Sequence, residues 1–117
     1  MPHRAIVAKE LAGLLGVLAH PQRIRIIQEL HGGELDVSSI QAVLKISHSS
    51  VSQHLMQLRA RRLVSERREG RRVFYHLRQP DLPRWLTEAM RFIELESVET
   101  QQPRKAIKKT RADWVSK

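Results

Sequence analysis

The stretch His48-Ser49-Ser50-Val51-Ser52-Gln53-His54-Leu55-Met56-Gln57-Leu58-Arg59 constrains the fold more than any other in the chain. Val51, Leu55 and Leu58 are spaced by four and then three, which is one stripe of an α-helix. The first two turns carry only short polar side chains on the other side: His48, Ser49, Ser50, Ser52 and Gln53. An ordinary solvated face favours Lys and Glu, which form helices well and keep their hydration. Ser, His and Gln offer short-range donors and acceptors instead, as a helix needs when its N-terminal end meets the edges of DNA bases. The pattern marks a recognition helix over 48–60, and the rest of the chain reads as its mounting.

The flanking residues fit that role. Asp36 is an N-cap for a preceding helix over 37–44, with Val37, Ile40, Val43 and Leu44 as its core positions. Lys45-Ile46-Ser47 is then a three-residue turn, and Ser47 caps the next helix. Two short helices joined so tightly form a helix-turn-helix. Downstream, Leu63–Arg68 and Arg71–Leu77 read as two strands around Gly70, whose freedom at positive φ suits a tight hairpin. Val73, Tyr75 and Leu77 alternate with Arg72, Phe74 and His76, the period of a strand. Arg67, Arg68, Arg71 and Arg72 surround the tip. This hairpin is a wing.

Toward the N-terminus, Val7, Leu11, Leu14, Leu15 and Leu18 share one stripe of a first helix over 5–19. His20-Pro21 interrupts it, and a second helix over 21–31 is expected to bury Ile24, Ile27 and Leu30 and to turn Arg23 and Arg25 outward. Gly32-Gly33 stops it, and Glu34–Val37 is a short extended link. After the wing, Pro80 and Pro83 introduce a last helix over 82–99. Its Trp85, Leu86, Ala89, Phe92 and Ile93 exceed what one helix at the end of a small core can bury. Stacked with Leu11, Leu14, Leu15 and Leu18 against a second copy, they would form a two-fold homodimer interface. Residues 1–100 thus read as one domain, and the basic run 101–117 as a disordered tail, with Ile107 and Trp114 leaving room for a short helix.

Charge supports a nucleic-acid partner. Residues 59–78 hold eight Arg against two Glu, and residues 104–117 hold six basic side chains against Asp113, within a net charge of +9. Solvated faces usually mix both signs; a one-sided basic zone beside a polar helix face is what a phosphate backbone attracts. Cysteine is absent, so disulfides, thiolate metal sites and thiol redox sensing are excluded. No apolar run is long enough to span a membrane. The segment Leu11–Ala19 imitates a secretory signal, but Glu10 stands at its start and the helical pattern continues past it, so a soluble cytoplasmic protein is expected.

Six histidines invite metal or catalytic readings. None stand at i, i+4 as a zinc pair on a helix would, and there is no phosphate loop, serine nucleophile motif or carboxylate pair. His3 and His31 read as exposed, His20 as a hydrogen-bonding corner residue, and His76 as a sheet-face residue. An enzyme is not expected, nor any cofactor or metal.

Leu18-Ala-His-Pro-Gln-Arg-Ile-Arg-Ile26, Val51-Ser-Gln-His-Leu-Met-Gln-Leu-Arg59, Leu63-Val64 and Gly70-Arg-Arg-Val-Phe-Tyr75 together resemble the ArsR/SmtB family of winged-helix bacterial transcriptional regulators. The likeness runs from about residue 11 to 96. It implies a mainly α fold with a small β-hairpin (α-α-α-α-β-β-α), and a homodimeric repressor that leaves its operator when an effector binds. It places His48, Ser49, Ser50, Ser52 and Gln53 against bases in the major groove. Ser47, Arg59, Arg67, Arg68, Arg71 and Arg72 fall on the backbone and wing side. His54 matches a common family histidine facing backbone phosphate or the helix-turn-helix partner.

Departures from the family pattern bear on the effector. The Cys-Val-Cys of its metal sensors is replaced by Asp36-Val37-Ser38. A second family metal site would fall on Asp81, Pro83, Glu94 and Ser97, a poor transition-metal set without imidazole. Arg62 stands where a Gly often precedes the first wing strand. The effector is therefore unnamed; a small molecule, a partner protein, or pH acting through His48 or His54 all remain open. Two other classes fit the same residues: a non-specific nucleic-acid-binding module, and a protein-interaction winged helix. Competition between an inverted-repeat duplex, bulk DNA and RNA separates the first from an operator reader.

Overall fold

The computed structural model describes residues 2–96 and 101–115, the side chains of 101–104 excepted. The elements are α1 (Pro2–Leu18), α2 (Pro21–Leu30), β1 (Leu35–Asp36), α3 (Val37–Leu44), α4 (His48–Ala60), β2 (Val64–Glu69), β3 (Arg72–Leu77), α5 (Leu82–Glu96) and α6 (Gln101–Val115). They fall into two units, residues 1–79 and 80–117.

Within the first unit the helix-turn-helix forms over the expected residues. Asp36 accepts a hydrogen bond from the Ser39 amide at 2.9 Å and so caps α3. Lys45 closes α3 in the left-handed region at φ 57, its amide bonded to the Gln41 carbonyl, and the chain turns into Ser47. The Ser47 hydroxyl accepts from the Ser50 amide at 3.1 Å, capping α4. Val51, Leu55 and Leu58 are completely buried, packed into a core with Leu18, Ile26, Ile27, Leu30, Ile40, Leu44, Leu63 and Val64.

Several expected core positions move. Ile26, not Ile24, joins Ile27 and Leu30 in the core; Ile24 is only half-buried. Arg23 does not point outward. It is half-buried, donating to the Val17 carbonyl at 3.1 Å and to His54. The turn at His20-Pro21 rotates α2 so that this side faces α1 and α4. Val43 is 42% exposed although it lies on the expected stripe, because eight residues of α3 give only Ile40 and Leu44 deep contact. Leu35–Asp36 is more than a link: it pairs antiparallel with Tyr75 and Phe74 of β3, making a three-stranded sheet in the order β1-β3-β2.

The wing closes between the paired residues Glu69 and Arg72, with Gly70 at φ 62 in the two-residue loop. Arg62 takes the left-handed conformation, φ 60, that a Gly would supply. The strain of holding a non-glycine there is on the order of 1–2 kcal/mol. It is tolerated where the chain leaves α4: the Arg62 amide bonds to the Arg59 carbonyl and the Leu63 amide to the Leu58 carbonyl. One turn earlier, Arg61 donates to the Glu10 carbonyl at 2.6 Å and ties α1 to the end of α4. That approach needs Gly13, where a Cβ would stand 3.2 Å from the Arg61 guanidinium.

In the second unit α5 buries Pro83, Leu86 and Thr87 and leaves Trp85, Phe92, Ile93 and Leu95 exposed. The expected continuation to residue 99 lies outside the described residues. The C-terminal run is helical from Gln101 to Val115 rather than an unstructured tail. Its Ile107, Arg111 and Trp114 share one half-buried side, and Arg111 donates to both carboxylate oxygens of Glu94 on α5 at 3.2 Å. Five basic side chains in the segment hide that weak stripe from a reading by composition. Among the described residues no helix is long and apolar enough to cross a membrane.

Candidate nucleic-acid interface

With its apolar stripe sunk in the core, α4 must turn its other side outward. His48, Ser49 and Gln53 are exposed, and Ser50 and Ser52 half-buried. Ser49 and Gln53 stand one turn apart and form the centre of this face. The Ser50 hydroxyl is already engaged, accepting from Ser47 at 2.9 Å, and Ser49 lies 3.2 Å from the same Ser47 oxygen. Ser47 and Ser50 therefore hold the first turn in shape, which leaves His48, Ser49 and Gln53 as the freest groups. Met56, 60% exposed, extends the face by one more turn. Its helical offset from Ser52 and Gln53 pointed there, but an apolar side chain within a polar pattern gave no signal of its own.

His54 is not on this face. It is half-buried against α2: its Nδ1 accepts from Arg23 Nε at 3.3 Å, and its ring lies 4.4 Å from that of His20. Burial lowers its pKa below the ordinary 6.5, and the neighbouring His20 and Arg23 lower it further. The sign follows directly. Between 6.5 and the lowered value the unfolded chain takes up a proton that the fold refuses, so stability falls as the pH drops through that window. Thermal unfolding at pH 7.5 and 5.5 should show this loss, and His54→Gln should reduce it; an equal loss in the variant would acquit His54. His20, expected to make a structural hydrogen bond, contributes ring contact instead, its Nδ1 being buried without a partner. The His31 Nδ1 is likewise buried, so that residue is not the fully exposed group expected.

The basic side chains divide into two sets. Arg67 grips Glu34 with two nitrogens, at 2.6 and 3.1 Å, and Glu69 at 2.8 Å. Arg72 donates twice to Asp36, at 2.7 and 3.2 Å. Both guanidinium groups lie over the Phe74 ring, at 4.7 and 4.8 Å, where its π-face attracts cations. Arg59 pairs with Glu66 at 3.1 Å, and Glu66 also accepts from the Tyr75 hydroxyl at 3.2 Å. These pairs brace the wing against β1 and α4. The hydrogen bonds from Ser39 and Arg72 hold the Asp36 carboxyl far below its usual range, so it stays ionised and anchors Arg72 throughout the neutral range. Arg68 and Arg71, at the wing's outer end, are exposed and make no hydrogen bond or ion pair among the described residues.

Three helices feeding a docked α4, with a two-stranded hairpin braced beside it, define a winged helix-turn-helix. Residues 20–66 match the sequence profile described as bacterial regulatory protein, arsR family. The chain is 40% identical over 83 residues to the biofilm growth-associated repressor of Agrobacterium fabrum, covering 71% of this chain and 70% of that one. It is 43% identical over 70 residues to the transcriptional repressor SmtB homolog of Synechocystis, covering 60% of this chain and 53% of that protein's length. Among solved structures, NolR from Sinorhizobium fredii superposes with a TM-score of 0.71 at 30% identity, over 79% of this chain and 92% of that one. The chain belongs to the arsR family of bacterial regulatory proteins.

Proposed function

We propose that the chain is a sequence-specific DNA-binding transcriptional regulator, acting as a homodimeric repressor on an inverted-repeat operator. The observation that carries this reading is the outward polar face of α4, His48, Ser49, Ser52 and Gln53, fixed by a fully buried stripe and flanked by the unpaired Arg68 and Arg71. Such a face is suited to reading base edges in a major groove, while the wing arginines neutralise backbone phosphates alongside. Named repressors among its relatives favour repression. Dimerisation is favoured by exposed apolar groups on α1 (Leu11 and Leu15, with Leu14 half-buried) and on α5 (Trp85, Phe92 and Ile93, with Ala89 half-buried). Leu18 and Leu86 are already buried within one chain and have little surface left for that contact. Two recognition helices related by a two-fold axis would reach half-sites about 34 Å apart, one turn of the duplex.

The test is the salt dependence of duplex binding. Arg71→Ala should weaken binding to cognate and scrambled duplexes alike and lower the log–log salt slope by about 1. Arg72→Ala should change the slope less, because its guanidinium is shared with Asp36 and Phe74. An unchanged slope in both variants would remove the wing from the contact surface. Light scattering that returned a monomer would remove the dimer.

A further inference from the structure

A recess of about 150 Å³ lies where the first turn of α3, the first turn of α4 and the wing come together. We propose that it seats one tetrahedral oxyanion, held by Ser38, His48 and Arg71. The inference rests on the DNA-binding reading only for the natural source of that anion, which would be a backbone phosphate; the recess has its own chemistry.

Three elements bring donors to one small space. Ser38 contributes a hydroxyl and a first-turn amide of α3, an amide position with no acceptor inside its own helix. His48 is the first residue of α4, and Arg71 is the exposed wing arginine without an ion pair. The positive ends of two helix dipoles therefore face the same recess as a free guanidinium. Val37 and Val73 line it as well, so part of its wall is apolar and screens charge poorly.

The single carboxylate present does not oppose an anion. One Asp36 oxygen takes the Ser39 amide and the other takes both nitrogens of Arg72, so its charge is spent within the wall. What is left over is the charge of Arg71, with His48 able to add a second when an anion settles beside it. A cation would meet two guanidinium groups and a carboxylate already occupied. Donors arriving from three directions, rather than in one plane, match the corners of a phosphate or sulfate. Asp36 is then a positioning residue: it holds Arg72, and through it the wing, at the distance that keeps the recess open.

The full-length protein, titrated with inorganic phosphate and with sodium chloride at matched ionic strength, gives the first readout by NMR. Phosphate should produce saturable shifts at Ser38 and His48 and raise the His48 pKa, where chloride does neither. Ser38→Ala should weaken the phosphate titration about threefold to tenfold, the range for one hydrogen bond to a charged group, and Arg71→Glu should abolish it. Shifts that follow ionic strength alike in both salts, or survive unchanged in both variants, overturn the proposal. The second readout is a duplex added to the phosphate-loaded protein. Displacement of phosphate, with Ser38→Ala weakening cognate and scrambled duplexes equally, identifies the anion as a DNA backbone group; phosphate retained beside bound duplex identifies a free anion. A parent protein that saturates with phosphate yet binds no duplex would keep the oxyanion seat and defeat the operator reading instead.

Discussion

Leu55→Ala is expected to cost the fold about 2–5 kcal/mol, the usual range for truncating a fully buried leucine. The side chain is completely enclosed, one turn beyond the equally buried Val51 and just before Leu58, so the cavity has no solvent-facing wall through which to relax. For a small domain this is a large fraction of the total stability. Denaturant unfolding measures it directly. The functional consequence is indirect, since Leu55 is inaccessible to any ligand. Duplex binding should fall only by the fraction of chains unfolded and should recover when the temperature is lowered enough to refold them. A variant as stable as the parent would mean that α4 is not docked through this stripe, and the outward direction of Ser49 and Gln53 would no longer follow.

Gln53→Ala is the complementary case, expected to leave stability nearly untouched and to change what is bound. Gln53 is exposed and stands one turn from Ser49, with no hydrogen bond among the described residues. A side-chain amide can pair with a base edge through two hydrogen bonds, and losing such a pair costs about 1–3 kcal/mol of discrimination, roughly fivefold to a hundredfold or more in the cognate-to-scrambled ratio. Affinity for scrambled duplex should stay the same, because phosphate contacts supply it. Ser50→Ala should shift the ratio less, since that hydroxyl is held by Ser47 at 2.9 Å within the cap. Equal losses on both duplexes would assign Gln53 to the backbone; no loss on either would take the α4 face off the bases.

The wing shows where reading residues in a line falls short. Arg67, Arg68, Arg71 and Arg72 look alike as four cations around a glycine. Folding gives two of them, Arg67 and Arg72, to Glu34, Glu69, Asp36 and the Phe74 ring, and leaves the other two without an ion pair. Glu34 and Asp36 are more than thirty residues from their partners in the chain, and only the pairing of β1 with β3 brings them there. The same distance hid Ser38, which as an isolated serine at the start of a short helix has nothing to mark it. His54 was placed near a helix or a phosphate on its neighbours in sequence, and its contact with Arg23 across α2 depends on how the two helices cross.

The order and extent of the central elements were already determined by local rules. Asp36 and Ser47 cap α3 and α4 because a side-chain oxygen there reaches the free amides of the next turn. The four-and-three spacing of Val51, Leu55 and Leu58 fixes which side of α4 goes inward, whatever it packs against. Tertiary structure alone decided that Ile26 rather than Ile24 fills the core, that α6 is a helix with Arg111 on Glu94, and which arginines remain available to a phosphate. Capping and periodicity act within a few residues and are written in the chain. Burial and ion pairing depend on partners that only the folded backbone brings within reach.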